Sequence, residues 1–170
     1  INSLEIGVSF VVENNLLLLE FYSSMADSYH AIKNHNKSDS LYEIAIKIDP
    51  ENSLILNNYA YYLSLRKKDL KKALKMSLMA NTIEKNNSTY EDTHAWILYQ
   101  NKEYEKAKEW ILKSLSNGGT ESAVIIEHYG DILYRLKYTE KAMTQWKKAI
   151  EIGGGSESLK NKIQDKKIYE

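Results

Sequence analysis

Residues 124–149 read VIIEHYGDILYRLKYTEKAMTQWKKA. In the first half Tyr129 and Leu133 flank Gly130 at helical spacing; in the second Ala142, Trp146 and Ala149 do the same, and the short turn Arg135-Leu136-Lys137 divides the halves. A connection that short forces the two helices to lie antiparallel. Helices packed in this way approach to about 8–10 Å, and where they cross most closely only Gly, Ala or Ser leaves room for the opposite backbone. The stretch is therefore one helix–turn–helix unit, with tiny side chains at the crossings and Trp146 filling the space near Tyr129.

The same arrangement returns upstream. Small residues stand at Ala26, Ala60, Ala95 and Gly130, at Ser38, Ala73, Ala107 and Ala142, and at Ala45, Ala80, Ser114 and Ala149. Each series advances by 34 or 35 residues, and the three keep step, which is the signature of a stacked repeat. Larger residues flank the first series: Met25 and Tyr29, Tyr59 and Leu63, His94 and Leu98. On the second helices Tyr42, Ser77, Ile111 and Trp146 take the matching place, and Ser77 predicts looser packing in its repeat. Turn chemistry places the ends. Asp49-Pro50-Glu51-Asn52 and Asn86-Asn87-Ser88 separate pairs, with Ser88 or Asn87 as N-cap. Asn117-Gly118-Gly119-Thr120 and Gly153-Gly154-Gly155-Ser156 close the last two.

The expected architecture is all-α, a single solenoid over 1–170. It has a partial helix over 1–13, helix pairs at about 16–48, 52–84, 88–116 and 120–152, and a capping helix over 156–168 that shows Leu159 and Ile163 on one face. That helix is otherwise polar, which suits a lid over the apolar end of the stack.

Composition narrows the function. The chain has 170 residues, one proline, seven glycines and 43% hydrophobic residues, enough for a sizeable core. No apolar run approaches the roughly 20 residues that span a bilayer, so membrane insertion by this segment is not expected. With 23 basic and 23 acidic side chains the net charge is zero, and long-range attraction to nucleic acid is absent. The lack of cysteine removes disulfides, thiolate nucleophiles and cysteine metal sites while leaving the compartment open. Because the chain starts at Ile1, it reads first as the end piece of a longer protein and otherwise as a chain whose leader was removed, and a signal peptide or lipid anchor could lie in the missing part.

On the strength of Tyr129-Gly130, Ala142, Trp146, Ala149 and Ile150, together with Ala45-Ile46-Lys47-Ile48-Asp49-Pro50, the repeats resemble the tetratricopeptide family over about 19–152. Departures are Ser38 and Ser114 for alanine, an extra residue in the 66–69 turn, and Lys33, Lys67 and Lys102 where the family has glycine. The resemblance implies a right-handed superhelix. The segments LNNYAYYLSLR, YEDTHAWILYQ and VIIEHYGDILYRL further resemble the C-terminal repeats of tetratricopeptide proteins common in the Bacteroidetes. Many of those carry a lipoprotein or signal leader, which implies a cell-envelope or periplasmic setting, with the cytoplasm still open.

The resemblance also implies a concave face lined by the first helix of each pair. Carried residue by residue, it holds Asp27 and His30; Asn57, Asn58, Tyr61 and Ser64; Asp92, Thr93, Trp96 and Tyr99; and Glu127, His128, Asp131, Tyr134 and Arg135. Tyr61, Trp96, Tyr99 and Tyr134 then form an aromatic stripe among carboxylates and amides, of the kind that builds binding hot spots. Two plainer readings stay open: Trp96 or Tyr99 packs against the second helices, or the stripe is only solvated surface. A subgroup of the family grips terminal carboxylates with lysines on this face; only Asn58 and Arg135 match, so that clamp is expected to be missing. An acidic, aromatic groove suits a neutral or basic peptide.

The main functional reading is a non-catalytic scaffold that binds a protein or peptide partner and needs no cofactor. A structural spacer or self-association module is the alternative, with Val8, Val11 and Leu16 as the contact. A third reading is a metal or acid–base site, because Glu127, His128 and Asp131 lie within one helical turn; no HExxH or glycine-rich phosphate loop supports it. His94 beside Ala95 reads as a core histidine, while His30 and His35 read as solvent-facing. Lys67, Lys68, Lys71, Lys72 and Lys75 form one charged face, read as solvated rather than as a partner site.

Overall fold

The computed structural model describes residues 14–169. Among them are nine α-helices: α1 Asn15–Ala31, α2 His35–Ile48, α3 Ser53–Leu65, α4 Leu70–Ile83, α5 Ser88–Gln100, α6 Tyr104–Ser116, α7 Ala123–Arg135, α8 Thr139–Ile152 and α9 Leu159–Asp165. A 3-10 turn at Gly119–Glu121 precedes α7. The helices pair as α1–α2, α3–α4, α5–α6 and α7–α8. Successive pairs stack so that α3, α5 and α7 lie side by side. The partial helix expected over 1–13 lies outside the described residues, as do Val8 and Val11.

The close-contact sites behave as their size requires. Eleven of the twelve small residues have no exposed surface, and Gly130 is buried with them. A Cβ on Gly130 would sit 2.4 Å from Trp146 Cδ1 and 3.3 Å from the Ala142 carbonyl oxygen, so only glycine admits the fully buried indole. Between repeats, Tyr42 of α2 and Tyr59 of α3 stack at 5.0 Å and 6°.

Ser77 departs from the looser packing expected of it. It is fully buried, and its Oγ lies 2.7 Å from His94 Nδ1 of the next repeat and 3.1 Å from the Leu74 carbonyl oxygen. A hydrogen bond across the repeat boundary replaces the apolar contact a larger side chain would make. Burial, with Lys113 nearby, pushes the His94 pKa down to about 4, so the ring is the neutral core histidine the sequence implied.

Helix starts follow side-chain capping. Asn14, Asn34, Asn52, Asn87 and Ser122 each accept the amide three residues on, from Leu17, Lys37, Ile55, Tyr90 and Ile125, at 3.1–3.4 Å, which satisfies donors that the helix itself leaves unpaired. Asn87 rather than Ser88 is thus the cap of α5, and α7 begins at Ala123, after the 3-10 turn, rather than at 120. Within each pair the turn repeats one device. The amides of Lys33, Lys67, Lys102 and Lys137 donate to the carbonyls of His30, Ser64, Tyr99 and Tyr134; the next amides reach back to Tyr29, Leu63, Leu98 and Leu133. This is the double hydrogen bond of a left-handed helix end. The four lysines accordingly have φ of 62°, 51°, 64° and 69°. Glycine's absence therefore leaves the turn geometry intact and adds backbone strain. The extra residue of the second turn is absorbed by a further left-handed residue, Asp69, at φ 45°.

The basic face is only partly solvated. Arg66 makes a two-pronged pair with Asp39 at 2.6 and 3.2 Å, Lys68 reaches the same carboxylate at 2.9 Å, and Lys72 pairs with Glu43. These bonds tie the second pair to the first.

Two substitutions separate the packing argument from the turn argument. Gly130→Ala should destabilise by about 1–3 kcal/mol, because its methyl overlaps the Trp146 ring. Lys137→Gly should stabilise by about 0.5–1 kcal/mol by relieving a left-handed backbone. Urea midpoints at unchanged m-value give both signs.

Candidate functional site

The first helices of the pairs supply the groove, since α3, α5 and α7 lie side by side in the stack. Between them and the C-terminal segment lies a cavity of about 520 Å³. Tyr61, Trp96, Tyr99 and His128 supply its aromatic wall, and Tyr104 and Tyr169 add to it. Trp96 lies flat between two rings, 4.7 Å and 10° from Tyr99 and 4.0 Å and 15° from His128. Such offset stacking fixes an aromatic surface at low entropic cost to a ligand. Tyr99 is mostly packed, at 7% exposure, while Trp96 and Tyr61 remain half-buried on the cavity wall.

The expected groove residues divide into three groups. Tyr61, Trp96, Tyr99, Glu127, His128, Asp131 and Arg135 line the cavity together. Asn57, Asp92 and Thr93 are buried, and Asn58 half-buried, without lining it: Asn57 Nδ2 lies 3.4 Å from Asn58 Oδ1, and Asp92 holds the His128 ring. Three others turn away. Ser64 is fully buried, with its hydroxyl donating to the Tyr61 carbonyl at 2.6 Å. Asp27 accepts from the Tyr42 hydroxyl of its own pair. Tyr134 packs against Trp146 at 5.6 Å and the last apolar cluster, so the aromatic stripe ends at Tyr99. His30 is not solvent-facing either: it stacks on Tyr62 at 3.7 Å, and His35 is half-buried beside it at 5.3 Å, in the first turn of α2.

The charges are arranged differently from the acidic groove expected. Asp92 holds His128 Nδ1 at 2.9 and 3.1 Å. Glu127 and Asp131, one turn apart on α7, both receive the ammonium of Lys162: 2.7 Å to Glu127 Oε1, and 2.9 and 2.7 Å to the two oxygens of Asp131. Asp131 also accepts from Trp146 Nε1 at 2.9 Å. Ser156 donates its amide and hydroxyl to Glu127, each at 2.6 Å. All three carboxylates therefore have internal partners. Burial would raise the Glu127 pKa, but the Lys162 ammonium and the Ser156 donors hold it below the usual value. At Asp131 burial prevails and raises the pKa from its ordinary value despite Lys162. Burial opposes charge on His128, and Asp92, with Asp131 and Glu127 behind it, outweighs burial and raises its pKa.

The metal reading loses its geometry here. Glu127 and Asp131 turn toward Lys162 while His128 turns toward Asp92, and among the described residues no three His, Asp or Glu side chains converge to hold a metal.

The cavity residues that the sequence reading missed are Leu65, Lys67, Gln100, Lys102 and Tyr104 at the turn edge, Val124 at the start of α7, and Gly155, Ser156, Ser158, Lys162, Ile168 and Tyr169 from the C-terminal segment. The capping helix is shorter than expected, Leu159–Asp165. Its Leu159 enters the last apolar cluster at 1% exposure, as a lid would, while the following turn brings Lys162 into the groove. At the opposite end of the stack Leu16 is 75% exposed. No helix among the described residues is long and apolar enough to cross a membrane.

Sequence models of the tetratricopeptide repeat match residues 19–52 and 41–75. No curated protein matches the sequence. Similar solved structures include PilW, described as a widely conserved type IV pilus biogenesis factor, with a TM-score of 0.80 at 16% identity over 97% of this chain and 76% of that one. TTC0263, a thermophilic tetratricopeptide protein of Thermus thermophilus, has a TM-score of 0.74 at 13% identity over 96% and 86%. YrrB, described as having an unusual peptide-binding site, has 0.66 at 12% identity over 96% and 81%. At these identities the likeness carries the fold alone.

The raised pKa of His128 beside Asp92 has a signed pH effect. A histidine whose folded pKa is raised contributes stability that is full below its ordinary value of 6.5 and lost as pH rises through the folded value. The wild-type thermal midpoint, measured relative to Asp92→Asn, should therefore fall across that window, and a constant difference would remove the pair from the stability balance.

Proposed function

The chain is built of tetratricopeptide repeats, and on that premise we propose that it is a protein-interaction scaffold that takes a peptide segment of its partner in the concave groove. The observation that carries this reading is the Tyr61–Trp96–Tyr99 wall of a cavity of about 520 Å³, continuous with the buried polar groups Glu127, His128 and Asp131 of α7. Its size and its mixture of aromatic rings with a few fixed polar groups are those of a ligand site. Rings already stacked in the free protein lose little freedom when a peptide side chain packs on them. The groove has a cationic edge at Lys67, Lys102 and Arg135, and its carboxylates are internally paired.

Panning a random twelve-residue peptide library on the immobilised chain tests the site. Selected peptides should lose at least tenfold in affinity for a Tyr61→Ala/Trp96→Ala variant with unchanged helical circular dichroism, and keep it for Leu112→Ala on the outer face. Peptides that bind the double variant undiminished would place recognition elsewhere.

A further inference from the structure

Lys162 differs from every other described lysine: it is the one that is buried, at 5% exposure. Its ammonium meets three carboxylate oxygens at 2.7, 2.9 and 2.7 Å, supplied by Glu127 and Asp131 on the inward face of α7. Without a cation those two carboxylates would be like charges at i and i+4, an arrangement that destabilises its helix. The pair is a receptor for positive charge, and its three acceptor atoms suit the three donors of a compact ammonium better than a planar guanidinium.

The segment that brings Lys162 there has the character of a bound peptide. Helix α9 has seven residues, well below the roughly 12–15 at which a lone helix becomes even marginal in water. It therefore owes its shape to docking. Three anchors hold it: Leu159 in the apolar cluster, Ser156 on Glu127, and Lys162 on both carboxylates. The tether before it, Gly153-Gly154-Gly155, takes φ of 95° at the first glycine and 108° at the third, where a side chain would meet Leu159 and Glu127. Ile168 and Tyr169 continue along the same cavity. The segment is also the cover that buries Glu127: were it to leave, water would reach the carboxylate, which lowers the penalty for opening.

We propose that Glu127 and Asp131 form a lysine-recognition subsite of the groove, that Lys162 is its intramolecular occupant, and that a partner peptide gains access by presenting a lysine that displaces residues 156–169. This rests on the groove reading above and adds the anchor chemistry and the competition. A lysine beside an apolar residue three positions earlier, as in Leu159–Lys162, is the pattern the subsite selects.

The probe is a fluorescein-labelled peptide of residues 156–169, SESLKNKIQDKKIY, titrated by anisotropy into the full chain and into the full chain carrying Lys162→Gln. The variant, with its own segment loosened, should bind the peptide at least tenfold more tightly than the intact chain. A peptide carrying the same Lys162→Gln change should lose at least tenfold on the variant. Equal binding by the two chains, or equal binding of the two peptides, would overturn the proposal. Should the variant fail to fold, hydrogen exchange on the intact chain decides. Amides of residues 159–165 exchanging at least tenfold faster than those buried in α7 and α8 would mean that the segment opens on its own. Equal protection would make it a permanent part of the core and end the proposal. Library peptides that still require Tyr61 and Trp96 while the 156–169 peptide fails would leave the groove standing without this occupant.

Discussion

Backbone contact between helices is the constraint on which this molecule depends. At each crossing a side chain larger than Ala or Ser would push the helices apart, and at Gly130 even a methyl collides with Trp146. Because the sites recur every 34 or 35 residues, each pair repeats the same close crossing. The first helices α3, α5 and α7 then line up on the inner side. The groove is thus a geometric consequence of where the smallest side chains stand.

The buried charges of this interior are partnered, while Ser38 Oγ, Asn57 Oδ1, Asn81 Oδ1 and Trp96 Nε1 are buried without a hydrogen-bond partner. A buried hydroxyl, amide or charge is costly unless it is satisfied, and breaking a buried ion pair commonly costs about 3–5 kcal/mol. Ser77 meets His94, Asp92 meets His128, and Glu127 and Asp131 meet Lys162. Each bond runs from one repeat to another or from the last repeat to the C-terminal segment. The charged residues therefore do two jobs at once: they set the register of neighbouring units and decide which charges the groove still presents.

The left-handed lysines illustrate how the turns tolerate a poor residue. Four turns share one hydrogen-bond pattern, imposed by the antiparallel helices they join, and the backbone adopts it whether or not glycine is present. Local preference yields because the packing of two helices outweighs about 1–2 kcal/mol of strain at a single residue.

The architecture was legible in the sequence because it is periodic. Small residues at Ala60, Ala95 and Gly130, and the apolar residues flanking them, report on contacts that every repeat makes in the same way, so a local pattern sufficed. Much of the groove wall followed by the same register, as Tyr61, Trp96 and Tyr99 show. What periodicity does not carry is a contact made only once. Whether Tyr134 faces the groove or Trp146, whether Ser64 is open or bonded to its own helix, and where Lys162 ends up each depend on neighbours found nowhere else in the repeat. Glu127 and Lys162 lie 35 residues apart with a glycine tether between them, and only the folded path of that tether brings the ammonium back to the carboxylates. The chain's pattern of sizes thus determined the stack, and the tertiary structure alone decided which of its charges are spoken for, because charge pairing depends on distance in space and not on spacing along the chain.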